Sequence, residues 1–336
     1  MGKRVSLKDI ATKVGVSTAL VSYVLNGLEK EKRVGPEIVK KIKEAASDLN
    51  YKPNQIARSL RKGSTNTIGL IVADIANPFF GQLARIVEDE AGKHNYTVII
   101  GSSDENCIKS ASLIDTLLDR QVDGFIIVPS EGCDDDIKTL VQKEVPLVLV
   151  DRFLPEITTN YIVLDNFRAT YEAVNHFVDK GYKRIALIAY KSSLVHMKER
   201  IRGYKEAMKD NHLEEAIQIK EVLYNHAKAD MEKEVSELLK GNKKPDALLF
   251  LTNALSISGL YAIRNHNIKV PEDVAIIGFD GNEAFDFFYS PLTYIEQPIE
   301  EMGKESVRIL LDQIKGSDKT VHIELRHKLI QRESSG

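Results

Sequence analysis

On an ideal helix turning 100° per residue, Thr18, Ala19, Ser22 and Tyr23 fall on one side of the segment 18–25, and Leu20, Val21, Val24 and Leu25 fall on the other. A short helix with a small, polar outer side near its N-terminus can enter a DNA major groove and touch base edges. Thr18, Ala19 and Tyr23 are therefore candidate base readers, and Ser17, Ser22 and Asn26 are candidate phosphate contacts. The competing description is a small helical bundle with a polar surface and no ligand. Catalytic groupings do not assemble anywhere in the chain: there is no glycine-rich phosphate loop, no nucleophile elbow and no histidine–cysteine–carboxylate spacing suited to a metal. Asp134, Asp135 and Asp136 read as a solvated surface or a helix cap. Cys107 and Cys133 are the only cysteines, with no CxxC, which argues against a disulfide scaffold or a zinc site; packing outweighs a redox role for Cys107. No enzyme, metal or cofactor is expected.

The elements that would position the outward side chains are legible around them. Apolar residues at 7, 10, 11 and 14 make one helix face behind Ser6 as N-cap, and Gly15 ends it. Ser17 opens a second helix that stops at Asn26-Gly27, so two short helices joined by a tight glycine turn form a helix-turn-helix pattern. Pro36 after Gly35 starts a third helix, whose Ile38, Val39, Ile42, Ala45, Ala46 and Leu49 complete a small core. Charge divides the same way. Residues 1–63 carry 14 Lys and Arg against 6 Asp and Glu, whereas the remainder carries 32 against 43. A basic head on an acidic body suits a module that meets a polyanion, since Lys and Arg supply most non-specific affinity for phosphate backbones. Charge alone leaves a membrane surface open. No apolar run approaches the ~18 residues of a membrane span, and the N-terminus has charges where a signal peptide needs apolar residues, so a cytoplasmic location without membrane contact is expected.

After this head comes Tyr51-Lys-Pro-Asn-Gln-Ile-Ala-Arg-Ser-Leu-Arg-Lys-Gly-Ser64, in which Pro53 breaks the chain and Asn54 can cap about two helical turns striped by Ile56 and Leu60. Leu7-Lys-Asp-Ile-Ala11, Val14-Gly-Val-Ser17, Val21-Ser22, Val24-Leu-Asn26 and Tyr51-Lys-Pro-Asn54 with Ala57-Arg-Ser-Leu60 resemble the headpiece and hinge of the LacI/GalR (lactose-repressor) family. The resemblance runs through nearly the whole chain. It implies a helix-turn-helix headpiece over 1–52, a hinge over 53–64, and an effector-binding and dimerisation domain over 65–336. It also implies that Leu60 wedges between bases in the minor groove of a double-stranded operator, with Asn54 among the DNA contacts. In place of the family's Val-Ser and Thr-Arg at the third helix, this chain has Val34-Gly35 and Ile38-Val39. Arg33, Lys40 or Lys41 is left to supply that phosphate contact.

From Thr67 onward, continuous apolar runs such as 68–72, 97–100, 124–128, 147–150, 184–188, 247–250 and 274–278 alternate with amphipathic segments. Parallel sheets covered on both faces follow from that pattern, as one large sheet, a barrel or two lobes. The family resemblance implies two lobes of the periplasmic-binding-protein-like kind: an N-lobe over about 66–162 and 293–322, and a C-lobe over about 163–292 and 323–336. The fold expected is thus α/β, with an all-α headpiece and a two-lobed body. Ligands of open α/β sheets bind beyond the carboxyl ends of the strands. Asn77, Phe79 and Phe80 follow the first strand within a motif similar to the family's Asn-Pro-Phe-Phe, where the rings either stack on a sugar or purine face or simply close the core. Asp151 and Arg152 resemble the family's strand-end pair; Arg200 and Asp280 match an arginine and a facing acceptor that hold effectors in relatives. Asn253 stays a cleft candidate although Ala254 replaces a common aspartate. An arginine fork facing a carboxylate suits a polyhydroxylated ligand, because a hydroxyl both donates and accepts.

The reading is a homodimeric, sequence-specific DNA-binding regulator, a repressor controlled by a sugar or sugar derivative. Rival inputs are a purine, or a partner protein acting on a regulator with an unused cleft. A secreted transport protein conflicts with the basic headpiece. No heptad pattern follows Ile330 to support a coiled-coil tetramer.

Overall fold

The computed structural model describes residues 5–51, 63–240 and 244–336. Asn54 and Leu60 lie outside the described residues. The chain forms two compact units, Met1–Thr65 and Asn66–Gly336.

The first unit is helical: α1 (Leu7–Val14), α2 (Thr18–Leu25) and α3 (Pro36–Asp48). The Asp9 carboxylate accepts from the Ser6 backbone N–H and hydroxyl, each at 2.7 Å. Gly15 takes the left-handed conformation, φ 77°, that ends α1 and returns its N–H to the Ala11 carbonyl. Ser17 Oγ accepts from the Leu20 N–H at 3.2 Å, so α2 starts where a side-chain acceptor meets an orphan amide. Ile10, Ala11, Val21, Val24, Ile42, Ala45 and Ala46 make the buried core. Leu20 and Leu25 pack against it only partly buried.

The second unit holds two six-stranded sheets. In chain order its elements begin β1 (Thr67–Val72), α4 (Pro78–Lys93), β2 (Thr97–Ser102), α5 (Cys107–Asp119), β3 (Gly124–Ile127), α6 (Asp134–Gln142), β4 (Leu147–Val150) and β5 (Asn160–Leu164). They continue with α7 (Asn166–Asp179), β6 (Ile185–Tyr190), α8 (Val195–Asp210), β7 (Gln218–Val222), α9 (Ala227–Lys240), β8 (Ala247–Phe250), α10 (Asn253–Asn265), β9 (Ala275–Phe279) and α11 (Ala284–Phe287). The last are β10 (Thr293–Glu296), α12 (Ile299–Ile314), β11 (His322–Leu325) and β12 (Lys328–Ile330). The first sheet has the order β11-β5-β4-β3-β1-β2 and every pair is parallel. The second has the order β12-β10-β9-β8-β6-β7, antiparallel only between β10 and β12. Strands β3, β4, β8 and β9 are buried along their whole length, as strands covered by helices on both faces must be.

The chain crosses between lobes after β5, after β10 and after β11. This moves three expected boundaries. Residues 293–296 belong to the second lobe, because β10 pairs with β9, and residues 323–325 belong to the first, because β11 pairs with β5. The first lobe's opening segment likewise runs to Leu164 rather than 162, because β5 ends there. Asp134, Asp135 and Asp136 form the first turn of α6, where the helix dipole favours negative charge.

Helices α7 and α8 pack closely. A Cβ at Gly203 would stand 2.2 Å from the Phe167 carbonyl oxygen, so only glycine permits this approach. Gly203 thereby holds α8, which carries His196 and Arg200 one turn apart, against the start of α7. No helix among the described residues is long and apolar enough to cross a membrane.

Candidate effector cleft and nucleic-acid interface

Two carboxylates in the second unit have the same construction in different lobes. Asp151 directly follows β4, and Asp280 directly follows β9. Both adopt left-handed backbone, φ 68° and 60°, and both donate their N–H to the neighbouring strand, at Ile162 (2.9 Å) and Ile295 (2.8 Å). A left-handed non-glycine residue costs energy that the surrounding structure must hold, and such residues cluster where function needs a particular side-chain direction. Here the direction is inward: Asp151 and Asp280 line one cavity of about 60 Å³ between the lobes.

Arg200 enters that cavity from α8. Its Nε donates to Asn166 Oδ1 at 2.7 Å and its Nη1 to the Leu251 carbonyl at 2.6 Å, while its guanidinium lies 3.7 Å from the Phe279 ring centre. Arg152 enters from the first lobe, held by Glu105 through two parallel bonds of 2.7 and 2.5 Å. Burial pushes the Asp280 carboxyl up to about 6 against the opposing pull of Arg200 and the 2.8 Å bond from Gln297 Nε2. Asp151 is raised by the same cause, with Arg152 and Arg200 opposing. His196 is pushed well below its ordinary value by burial, and both arginines add to the effect, so its ring is neutral at physiological pH. Burial favours a neutral Arg152, but Glu105 overrides it and keeps the guanidinium charged. Three buried polar atoms here have no hydrogen-bond partner: His196 Nδ1, Gln297 Oε1 and Arg152 Nε. Buried polar groups are normally satisfied, so three in one place mark a site for a polar guest.

Of the residues expected from the sequence, Asn77, Phe79, Phe80, Asp151, Arg152, Arg200 and Asp280 all line this cavity. Asn77 also caps α4, accepting from the Phe79 N–H at 3.1 Å. Phe79 and Phe80 meet edge to face at 5.0 Å inside the first lobe's core, so they both close that core and border the cavity. Asn253 does not line it. Its amide donates to the Asp280 backbone carbonyl at 2.9 Å, which makes it a support for Asp280; Thr252 and Ala254 border the cavity instead. Sequence reasoning missed Glu105, Tyr190, His196, Tyr224 and Gln297 as lining residues. Glu105, Tyr190 and Gln297 each lie at or just beyond a strand end, so the strand-end rule finds them once β2, β6 and β10 have their true limits. His196 is signalled by its place four residues before Arg200 on one helix.

Two contacts tie the lobes together beside the cavity. Tyr224 Oη donates to Asp74 Oδ2 at 2.8 Å, and Glu131 accepts from the Ser193 N–H at 3.1 Å and from its hydroxyl.

In the first unit, Ser17, Thr18 and Ala19 are exposed, while Ser22, Tyr23 and Asn26 are half-buried. The Asn26 amide donates to the Ser22 carbonyl at 2.6 Å and to its hydroxyl at 3.2 Å, so these two side chains brace each other. Tyr23 lies under the Lys32 ammonium at 5.8 Å. Arg33 is exposed on left-handed backbone, φ 51°.

A three-helix unit with a helix-turn-helix, followed by a two-lobed α/β unit with a polar cavity between its sheets, defines a ligand-responsive DNA-binding regulator. Residues 6–54 match the family described as bacterial regulatory proteins, lacI family, and residues 174–335 match the periplasmic binding protein-like domain. The chain is 32% identical over 333 residues to the HTH-type transcriptional repressor PurR of Aliivibrio fischeri, covering 98% of each. Among solved structures, a LacI family transcriptional regulator from Enterococcus faecium with bound ribose is 28% identical with a TM-score of 0.71, over 80% of this chain and 98% of that one. The lac repressor dimer bound to operator has a TM-score of 0.86 at 24% identity over 99% of each chain and has the same fold. The chain belongs to the lacI family of bacterial regulatory proteins and is a DNA-binding transcriptional regulator with an effector-binding domain.

Proposed function

We propose that the protein is a homodimeric repressor whose operator affinity is set by a small carbohydrate in the interlobe cavity. One observation carries this reading: Arg200 and Asp280 from the second lobe, with Asp151 and Arg152 from the first, surround a buried space containing three unsatisfied polar atoms. Sugar hydroxyls, which donate and accept, answer carboxylates, guanidinium nitrogens and a neutral imidazole at once. The ribose held by the Enterococcus faecium relative supports that class.

The enclosed part of the cleft is about 60 Å³, and a wider opening of about 780 Å³ shares Phe79, Asp280 and Gln297 with it. A sugar that moves the lobes apart on binding would strain the Tyr224–Asp74 and Glu131–Ser193 contacts. A ligand that prefers one lobe arrangement shifts DNA affinity to the extent that the operator prefers another. Dimerisation through the body is supported by Ile75, Ile100, Ile108 and Leu223, which are exposed apolar side chains near the edge strand β2 and the Tyr224–Asp74 contact. In the proposed division of labour, residues 1–52 read DNA, with Thr18, Ala19 and Tyr23 on bases and Ser17, Ser22, Asn26 and Arg33 on the backbone, and Asn54 of the hinge adds a further DNA contact. Residues 53–64 form the hinge, and residues 65–336 sense and dimerise.

The test uses the full chain and a duplex selected from a randomised pool. Operator affinity is measured with ribose, glucose, galactose, cellobiose, their phosphates and acids, adenine, hypoxanthine and guanine. At least one carbohydrate is expected to shift affinity by about tenfold or more. A shift by a purine alone transfers the assignment to the purine reading, and no shift at all refutes small-molecule control. Leu60→Ala is expected to weaken operator binding about tenfold, the scale of one lost interaction of ~1.4 kcal/mol, without changing effector affinity. Unchanged operator affinity removes the minor-groove wedge.

A further inference from the structure

We propose that Glu105 makes the interlobe cleft selective for neutral ligands, excluding sugar phosphates and sugar acids, by occupying the Arg152 guanidinium that would otherwise receive an anion. This rests on the reading of the cleft as the effector site and narrows its ligand.

An arginine recognises a carboxylate or phosphate through two parallel N–H donors on one edge of its planar fork. In both cleft arginines part of that fork is already committed to acceptors of the protein itself. Arg152 spends its Nη1–Nη2 edge on the two oxygens of Glu105, and its other edge, whose Nε makes no hydrogen bond, is faced by the Asp151 carboxylate at 3.4 Å. Arg200 spends Nε on Asn166 and Nη1 on the Leu251 carbonyl. Both guanidinium groups are buried, so these bonds are not exchanged for water as surface pairs are.

The charge balance points the same way. Among the described residues lining the cavity, Asp74, Glu105, Asp151 and Asp280 face only Arg152 and Arg200 as cations, and the buried His196 ring contributes no charge. An incoming anion would thus enter a water-poor space that already holds more negative than positive groups, where like charges are costly. A neutral polyol pays no such penalty and finds acceptors in the carboxylates and Gln297 Oε1.

The backbone shows that Glu105 is deliberately aimed. Asp104 and Glu105 are consecutive left-handed non-glycine residues, φ 52° and 55°, and the Glu105 N–H is tied to the Ala73 carbonyl at 2.9 Å. Asp104 is itself braced by Ser102 at 2.6 Å and by Lys109. Two adjacent unfavourable conformations, about 1–3 kcal/mol each, are maintained in a short turn whose product is one carboxylate against Arg152.

The test needs no knowledge of the natural effector. Inorganic phosphate and sulfate are titrated by calorimetry into the full-length wild type, Glu105→Gln, and Glu105→Gln combined with Arg152→Met. The single variant keeps the side-chain shape while freeing one arginine nitrogen and a positive charge. It is expected to bind these anions about tenfold more tightly than the wild type, the scale of one opposing charge at contact distance, and the double variant is expected to lose that gain. A folded Glu105→Gln with no gain, or a gain that survives Arg152→Met, overturns the proposal. Wild-type selectivity is an independent arm: tighter binding of ribose 5-phosphate or glucose 6-phosphate than of the parent sugars overturns the proposal while leaving carbohydrate control standing. Gain of anion binding by Glu105→Gln without any carbohydrate response leaves the charge role of Glu105 standing and removes carbohydrate control.

Discussion

Ile42→Ala is expected to abolish operator binding at physiological temperature and to leave the body folded and its ligand affinity unchanged. Ile42 is fully buried among Ile10, Val21, Val24 and three alanines, at the centre of a small core whose other apolar side chains are only partly buried. A domain of this size draws only roughly 3–5 kcal/mol from such a core, and truncating a buried isoleucine to alanine costs about 2–5 kcal/mol. The loss is as large as the reserve, and the helix bearing Thr18, Ala19 and Tyr23 cannot present them from an unfolded unit. The body is a separate compact unit with its own cores, so its thermal transition is expected to stay in place. Ile42→Val, costing about 0.5–1.5 kcal/mol, should keep measurable binding. Gel-shift and calorimetric measurements on the two variants decide it: wild-type operator affinity in Ile42→Ala would mean that this core does not limit the DNA-reading unit.

The first unit was legible because its signals are local. Ser6, Gly15, Ser17 and Pro36 each act within one or two turns, and helices begin or end at each of them. In the body the continuous apolar runs marked the buried strands, but not the strands at sheet margins. Strand β7 is partly exposed, β11 and β12 are short and mixed, and nothing in their composition separates them from loops. The partner strand β9, not the residues of β10, decides which sheet Thr293–Glu296 joins, and so places these residues in the second lobe rather than in the first as the family resemblance implies. In the cleft, strand-end carboxylates and arginines were visible from position alone, and seven of the eight expected lining residues meet at the cavity. What sequence could not show was how those groups are committed. Arg152 looks like a free anion receptor until Glu105 is placed against it, and Asn253 looks like a ligand contact until its amide is placed on the Asp280 carbonyl.

Asp280→Asn is expected to separate stability from response in opposite directions. The carboxyl is buried, and its folded value of about 6 stands above the ordinary 3.8. Between those values the folded protein binds a proton that the unfolded chain does not. Stability therefore falls as pH rises from about 4 to 6 and stays low above 6. A shift of about two units corresponds to on the order of 3 kcal/mol at 1.36 kcal/mol per unit. Asparagine does not ionise, so the variant avoids that loss; its melting temperature should exceed the wild type's at pH 7.5, with a smaller excess at pH 5. The same substitution removes the charged acceptor that faces Arg200 across the proposed ligand space. A hydrogen bond to a charged group is worth about 1.5–3 kcal/mol, so effector affinity should fall by roughly ten- to a hundredfold. Buried charge in the cleft is thus a stability cost retained for ligand recognition. Melting curves at the two pH values, paired with effector titrations of operator binding, test both halves. A variant less stable at pH 7.5 than the wild type would show that ionised Asp280 contributes more to the fold through Arg200 and Gln297 than its burial costs.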